Sequence, residues 1–228
     1  IRLLIDALPS LHSYWQPLIG VIAVLSFGLG NLVAIAQENL KRMLAYSAIA
    51  HIGYALLGLS AGTATAYAMS LFYLLAYGLM ALTAFGLLVV VSKSGQVEAI
   101  NDLRGLNARS PWLALVMLLA MFSMAGIPPT VGFFAKLGIL LGLIGADQLW
   151  MATLAIIFAI IGAYYYLNVI KVMYFEEPEP TLPRLMVAPD AYLALSINAI
   201  LLLVLGLFPS QLMELAQTAF FTINHPVY

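Results

Sequence analysis

Long apolar runs separated by short polar ones dominate the chain, and their lengths predict membrane-spanning helices. A spanning helix needs about 20 mostly apolar residues, with a range of roughly 17–25. Residues 7–37 carry no formal charge, and Trp15, Gln16 and Pro17 mark an interface, so the first span is expected at 18–36. Glu38, Lys41 and Arg42 close it. Residues 43–92 are again free of charge and long enough for two spans. The small polar run Ser60-Ala61-Gly62-Thr63-Ala64-Thr65 is the natural turn, which predicts spans at 43–59 and 66–91. A polar loop over 92–110 holds Lys93, Glu98, Asp102, Arg104 and Arg109.

Residues 111–145 form a run of 35 with a single charge, Lys136. At about 1.5 Å per residue, one continuous helix of that length would overshoot a ~30 Å hydrocarbon core. Gly126-Ile127-Pro128-Pro129-Thr130 sits in its middle. Two successive prolines remove two backbone donors, and Pro129 disfavours helical geometry at Pro128. The segment therefore reads as one discontinuous span broken at 126–130, with Gly126, Pro128 and Pro129 as the breakers. A fifth span follows at 149–174, then a loop rich in proline and acid from Glu176 to Asp190. The sixth span is expected at 191–208, ended by Pro209. The fold class is all-α and polytopic.

Charge fixes the environment and an orientation. Only 8% of the residues are charged, with 9 Lys+Arg against 10 Asp+Glu. So few charges cannot cover the surface of a water-soluble globule of this size. A cytosolic enzyme, a nucleic-acid binder and a disordered tail are excluded; the lipid bilayer is the partner and nucleic acid is not. There is no cysteine, so disulfides and thiolate-held clusters within the chain are excluded too. With one broken span, Lys41, Arg42, Lys93, Arg104, Arg109, Lys171 and Arg184 fall on one side and Arg2 on the other. The positive-inside rule makes the first side cytoplasmic and turns both ends outward. Two spans at 111–145 would weaken that bias. The chain opens Ile1-Arg2-Leu3, without Met or a signal peptide, as expected of a piece of a longer polypeptide.

Lys136 is the foremost candidate for chemistry. A lysine within an apolar run costs about 2.5–3.5 kcal/mol on insertion scales. Burial disfavours its charged form, so it could gain and lose a proton within the membrane. The alternative is a lysine that snorkels to the interface. Three polar stripes accompany it. Ser47, His51 and Tyr54 share a face of the second span, Ser70, Tyr73 and Tyr77 of the third, and Tyr164, Asn168 and Lys171 of the fifth. Such stripes usually face a bundle interior. They read either as a hydrated proton wire or as interhelical hydrogen bonds of roughly 0.6 kcal/mol each. Tyr165, Tyr166 and Trp150 read as interfacial aromatics. Glu38 and Arg42, four apart, read as a surface helical pair. The sequence carries no phosphate-binding glycine loop, no catalytic triad, no metal-ligand spacing and no redox site of its own.

Two stretches resemble the antiporter-like membrane subunits of respiratory complex I, the proton-pumping NADH:quinone oxidoreductase. One is Gln37-Glu38-Asn39-Leu40-Lys41-Arg42-Met43-Leu44-Ala45-Tyr46-Ser47 with His51-Ile52-Gly53-Tyr54. The other is Ser123-Met124-Ala125-Gly126-Ile127-Pro128-Pro129-Thr130-Val131-Gly132-Phe133 with Lys136. Both patterns also occur in cation/proton antiporter subunits. Tyr164-Tyr165-Tyr166-Leu167-Asn168-Val169 is more selective and resembles the branch of bacterial subunit N and its mitochondrial counterpart.

The resemblance implies a fold of fourteen helices with two inverted five-helix repeats, of which this chain would hold the second half. Residues 1–17 would be the end of a preceding helix and an outer loop. Residues 18–174 would be the second repeat, and 175–228 a cytoplasmic loop, the last span and an outer tail. Lys136 would be the proton carrier of the broken helix, on a path with Ser47, His51, Tyr73, Tyr77, Tyr164 and Lys171. The implied partners are other membrane-arm subunits in a bacterial inner membrane. NADH, flavin, iron–sulfur clusters and quinone would belong to partner subunits, with no cofactor or metal here.

Overall fold

A computed structural model describes residues 2–94, 98–178 and 187–224. Among these, ten α-helices follow one another: α1 Arg2–Ala7, α2 His12–Ile35, α3 Leu40–Ser60, α4 Ala64–Ser94, α5 Leu106–Arg109, α6 Pro111–Ala125, α7 Val131–Gly145, α8 Leu149–Phe175, α9 Pro189–Leu207 and α10 Pro209–Asn224. Five are long and apolar enough to cross a membrane, and α6 and α7 are shorter apolar helices. The protein is all-α and polytopic. The expected break at 126–130 separates α6 from α7. Arg184 and the end of the acidic run, Glu179-Pro180, lie outside the described residues.

The helices extend past the expected spans wherever local side chains satisfy their ends. α2 begins at His12, so residues 12–17 are helix and not loop, and Pro17 lies inside it. Pro17 removes only one backbone bond near the helix start. Trp15 donates to the Leu8 carbonyl at 3.2 Å and Gln16 to the Ser60 carbonyl at 2.8 Å, which pins these first turns. α3 starts at Leu40 because the Asn39 side chain accepts the Arg42 backbone N–H at 3.0 Å. Asn39 is thus the cap. Glu38 lies outside the helix, so it forms no helical pair with Arg42.

The last span, α9, ends just before Pro209 as expected, but Pro209 does not end the helical structure. It opens α10 from the first helical position, where its missing N–H is no loss. α10 buries Ala216 and packs against α4 and α9. Alternation of Leu212, Met213 and Ala216 with polar residues was the available signal.

α4 is the central element and lies against α3, α6, α7, α9 and α10. Leu18, Val21, Ile22, Leu25, Leu29 and Leu32 of α2 stay exposed, an apolar face suited to lipid. At one end of the bundle, Leu40 N–H donates to the Glu98 carbonyl at 2.9 Å and Ile100 N–H to the Glu38 carbonyl at 2.8 Å. Arg104 pairs with Glu176 at 2.8 Å, and Lys171 with the same carboxylate at 3.6 Å. Lys41, Arg42, Arg104, Arg109 and Lys171 therefore share this end.

The break satisfies its own backbone. Gly126 adopts φ +83, and its N–H donates to the Ser123 carbonyl at 3.0 Å. Ile127 N–H donates to the Phe122 carbonyl at 2.9 Å. These are the bonds of a Schellman cap. The Pro128-Pro129 peptide is cis. Thr130 Oγ1 donates to the Ile127 carbonyl at 2.7 Å, and α7 restarts at Val131. Ser123 Oγ of α6 accepts the Gly132 N–H at 3.1 Å, tying the two half-helices together. Gly206 of α9 lays its backbone against Pro129 and Thr130 and closes the far side.

Candidate proton-transfer site

The break delivers Lys136 to the middle of the bundle. It lies in the second turn of α7, and Nζ donates to the Ala125 carbonyl at 3.0 Å. That carbonyl is among the last four of α6, which have no partner within their own helix. The ammonium thus caps the negative end of a half-helix, where a cation is favoured. Its second contact is the ring of Tyr54, with Nζ 5.4 Å from the centroid.

His51 of α3 lines the same cavity, buried and in contact with three tyrosines. Its Nδ1 is 2.8 Å from the Tyr73 hydroxyl of α4, and its Nε2 is 3.0 Å from the Tyr166 hydroxyl of α8. Tyr77 stacks on the imidazole at 4.6 Å with 21° between planes. A neutral imidazole has one donor and one acceptor nitrogen. One tyrosine therefore donates to the ring and the other accepts from it. Tyr54 stacks on Tyr73 at 5.9 Å and donates its hydroxyl to the Ala155 carbonyl. Tyr165 donates to Asn31 at 2.9 Å, and Asn31 to the Phe27 carbonyl at 2.7 Å.

Lys136, His51, Tyr54, Asn31, Tyr165 and Tyr166 line one cavity, with Ala50 and Met124. It offers about 10 Å³ to the centre of a water molecule. A single water needs roughly 10–15 Å³ on that measure and two to four polar partners. On its other side Lys136 floors an apolar cleft of about 310 Å³ between α7 and α8, lined by Leu140, Ala155 and Ala159 among others.

The structure brings together Lys136, His51, Tyr73 and Tyr77. Ser47 is buried one turn from His51 and donates to the Leu44 carbonyl at 2.8 Å. Tyr164 and Lys171 are not brought in. Tyr164 is 62% exposed, and the Lys171 side chain is 66% exposed and paired with Glu176. The buried face of α8 runs through Gly162, Tyr165, Tyr166, Val169 and Met173 instead. Reading polarity alone picked the wrong face, because a lysine near a helix end reaches the interface. Tyr165 and Tyr166, expected at the interface, are buried in the site, whereas Trp150 is exposed near a helix end. Tyr166, Tyr165, Tyr54 and Asn31 line the same cavity and were not among the residues expected on the path. Their signal was spacing: Tyr54 lies three residues from His51, and Tyr165, Tyr166 and Val169 make a helical face.

The chain is similar to known proteins in sequence and in fold. Residues 1–162 match the family model described as NADH:quinone oxidoreductase/Mrp antiporter, transmembrane. NADH-quinone oxidoreductase subunit N of Thioalkalivibrio sulfidiphilus is 52% identical over 96% of this chain and 45% of its own length. The chain thus spans about half the length of the curated relatives it matches. A chain of respiratory complex I from Thermus thermophilus with bound NADH superposes with TM-score 0.80 at 29% identity, covering 93% of this chain and 45% of that one. A chain of the Mrp complex from Dietzia superposes with TM-score 0.87 at 21% identity, covering 94% and 48%, a likeness of fold.

Proposed function

Because this chain belongs to the NADH:quinone oxidoreductase/Mrp antiporter transmembrane family, we propose that it works in the membrane arm of a proton-translocating NADH:quinone oxidoreductase. In this reading it is part of subunit N, held among other membrane-arm subunits in a bacterial inner membrane. The end bearing Lys41, Arg42, Arg104 and Lys171 faces the cytoplasm. NADH, flavin, iron–sulfur clusters and quinone belong to partner subunits, whose redox reaction supplies the energy. Each proton moved against 100 mV costs about 2.3 kcal/mol.

The observation that carries the reading is the shared cavity: Lys136 and His51 both line a space of about 10 Å³, at the lower limit for one water. A proton reaching one nitrogen of His51 leaves from the other as the tautomer flips. The hydroxyls of Tyr73 and Tyr166 both donate and accept, so either can hand on a proton. Lys136 takes its proton across the cavity and holds it against the Ala125 carbonyl. Ser47, Tyr77 and Tyr54 position these groups. Tyr164 and Lys171 take no part.

The test is Lys136→Ala in the full-length subunit, after checking that the complex assembles. NADH:quinone turnover and NADH-driven proton uptake are recorded in the same inverted vesicles. Both fall if Lys136 carries protons; wild-type values for both would sink the role. The second reading is a subunit of a cation/proton antiporter, favoured by the fold shared with the Mrp complex. Copurified flavin and iron–sulfur absorbance support the first reading, and rescue of sodium-sensitive growth the second.

A further inference from the structure

A second polar cluster lies at the end of the bundle opposite the basic residues. His12, the first residue of α2, is half-buried, and its Nε2 is 3.1 Å from the Tyr67 hydroxyl of α4. Trp15 meets its ring edge to face at 4.6 Å. Gln16, one turn further, and Gln148, in the turn between α7 and α8, both donate to the Ser60 carbonyl, at 2.8 and 3.1 Å. The Oε1 of Gln148 is buried and has no protein partner. A buried acceptor of this kind requires a donor from water.

The cluster is joined to His51 by one face of α4. Tyr77, Tyr73, Ser70 and Tyr67 succeed one another at intervals of four, three and three residues, the spacing of one helical face. Together they cover about 15 Å along the axis, half the hydrocarbon core. Tyr77 stacks on His51 and Tyr73 bonds to it. Ser70 crosses to the Ala55 carbonyl of α3 at 2.9 Å. Tyr67 ends the row on His12. Successive residues of the row rise by about 5 Å along α4.

We propose that His12, reached through Tyr73, Ser70 and Tyr67, is the group that releases protons at this end of the chain. The proposal rests on the proton-carrying reading above and supplies its outlet. His12 is half-buried at this end of the bundle, whereas His51 is buried in its interior. The Gln16–Ser60–Gln148 cluster holds the mouth in shape and offers a water an acceptor.

Two variants of the full-length subunit test it in the assembled complex: His12→Gln, which keeps a hydrogen-bonding group but cannot titrate, and Tyr67→Phe, which removes only the hydroxyl. Assembly is checked first, and the initial rate of NADH-driven proton uptake is read in inverted vesicles. Both variants are expected to assemble and to lose uptake, and His12→Asp, which titrates, is expected to regain part of it. Wild-type uptake in His12→Gln overturns the proposal whatever Tyr67→Phe does. Lys136→Ala is run alongside. If it loses uptake while His12→Gln does not, the outlet fails and the lysine reading stands. If Lys136→Ala is silent while His12→Gln loses uptake, the outlet stands without that lysine.

Discussion

The ammonium of Lys136 caps the carbonyl of Ala125, a group that exists as a free acceptor only because the helix breaks one residue later. The double proline and the lysine are thus one device. The break makes the acceptor, and the restart of α7 brings the lysine back to it. A continuous helix would have sealed that carbonyl in its own ladder and left the lysine in apolar surroundings.

This pairing separates charge from proton exchange. Lys136→Arg keeps a cation and a donor for the Ala125 carbonyl, but a guanidinium does not release its proton in proteins. The variant is expected to assemble at wild-type level on native gels. A positioned proton-transfer group is worth roughly 10²–10⁴-fold on its step. NADH-driven proton uptake should therefore collapse, and uptake near wild type would show that Lys136 serves as a fixed charge.

The two bonds of His51 make its variants unequal. Tyr166→Phe leaves one buried group, His51 Nε2, without its partner, at about 1–3 kcal/mol. His51→Phe leaves the Tyr73 and Tyr166 hydroxyls buried without the ring, at about 1–3 kcal/mol each. Thermal melting of the purified complex should show a clearly larger loss for His51→Phe. Both should slow proton uptake. Equal melting of the two variants would mean that the hydroxyls find other partners.

Tyr164 and Lys171 face outward, so Tyr164→Phe and Lys171→Ala should change stability by no more than about 0.5 kcal/mol. Proton uptake should match wild type in both. A strong loss of uptake in either would place that side chain on the path and contradict the orientation of α8.

Gly126→Ala should disturb the lysine through the backbone. The residue adopts φ +83, a conformation costing an L side chain about 1–2 kcal/mol. An added Cβ would also stand 2.8 Å from Lys136 Cδ. Lower thermal stability and lower uptake are expected together. Adding Lys136→Ala should reduce uptake no further, because the same group is already displaced. Additive losses would separate the glycine from the lysine.

Much of the architecture follows from the sequence alone. A run of 35 mostly apolar residues with two prolines in its middle can neither span once unbroken nor keep its ladder. The discontinuity at 126–130 was therefore legible before any coordinate, and so was a lysine whose presence in such a run needs a reason. Spans, turns and the gathering of Lys41, Arg42, Arg104 and Lys171 at one end follow from hydrophobicity and charge, which act through the local sequence. Helix ends were less legible, since Asn39 and Gln16 extend α3 and α2 through individual hydrogen bonds. The composition of the site was decided by the tertiary structure. A membrane helix as apolar as α8 carries little amphipathic signal, so its rotation is set by packing. Close fit turned Tyr165 and Tyr166 inward and Tyr164 to the outside, although all three are the same residue. Lys136 and His51 are 85 positions apart in the chain. They line one cavity because α3, α7 and α8 pack against one another, a meeting no local pattern encodes.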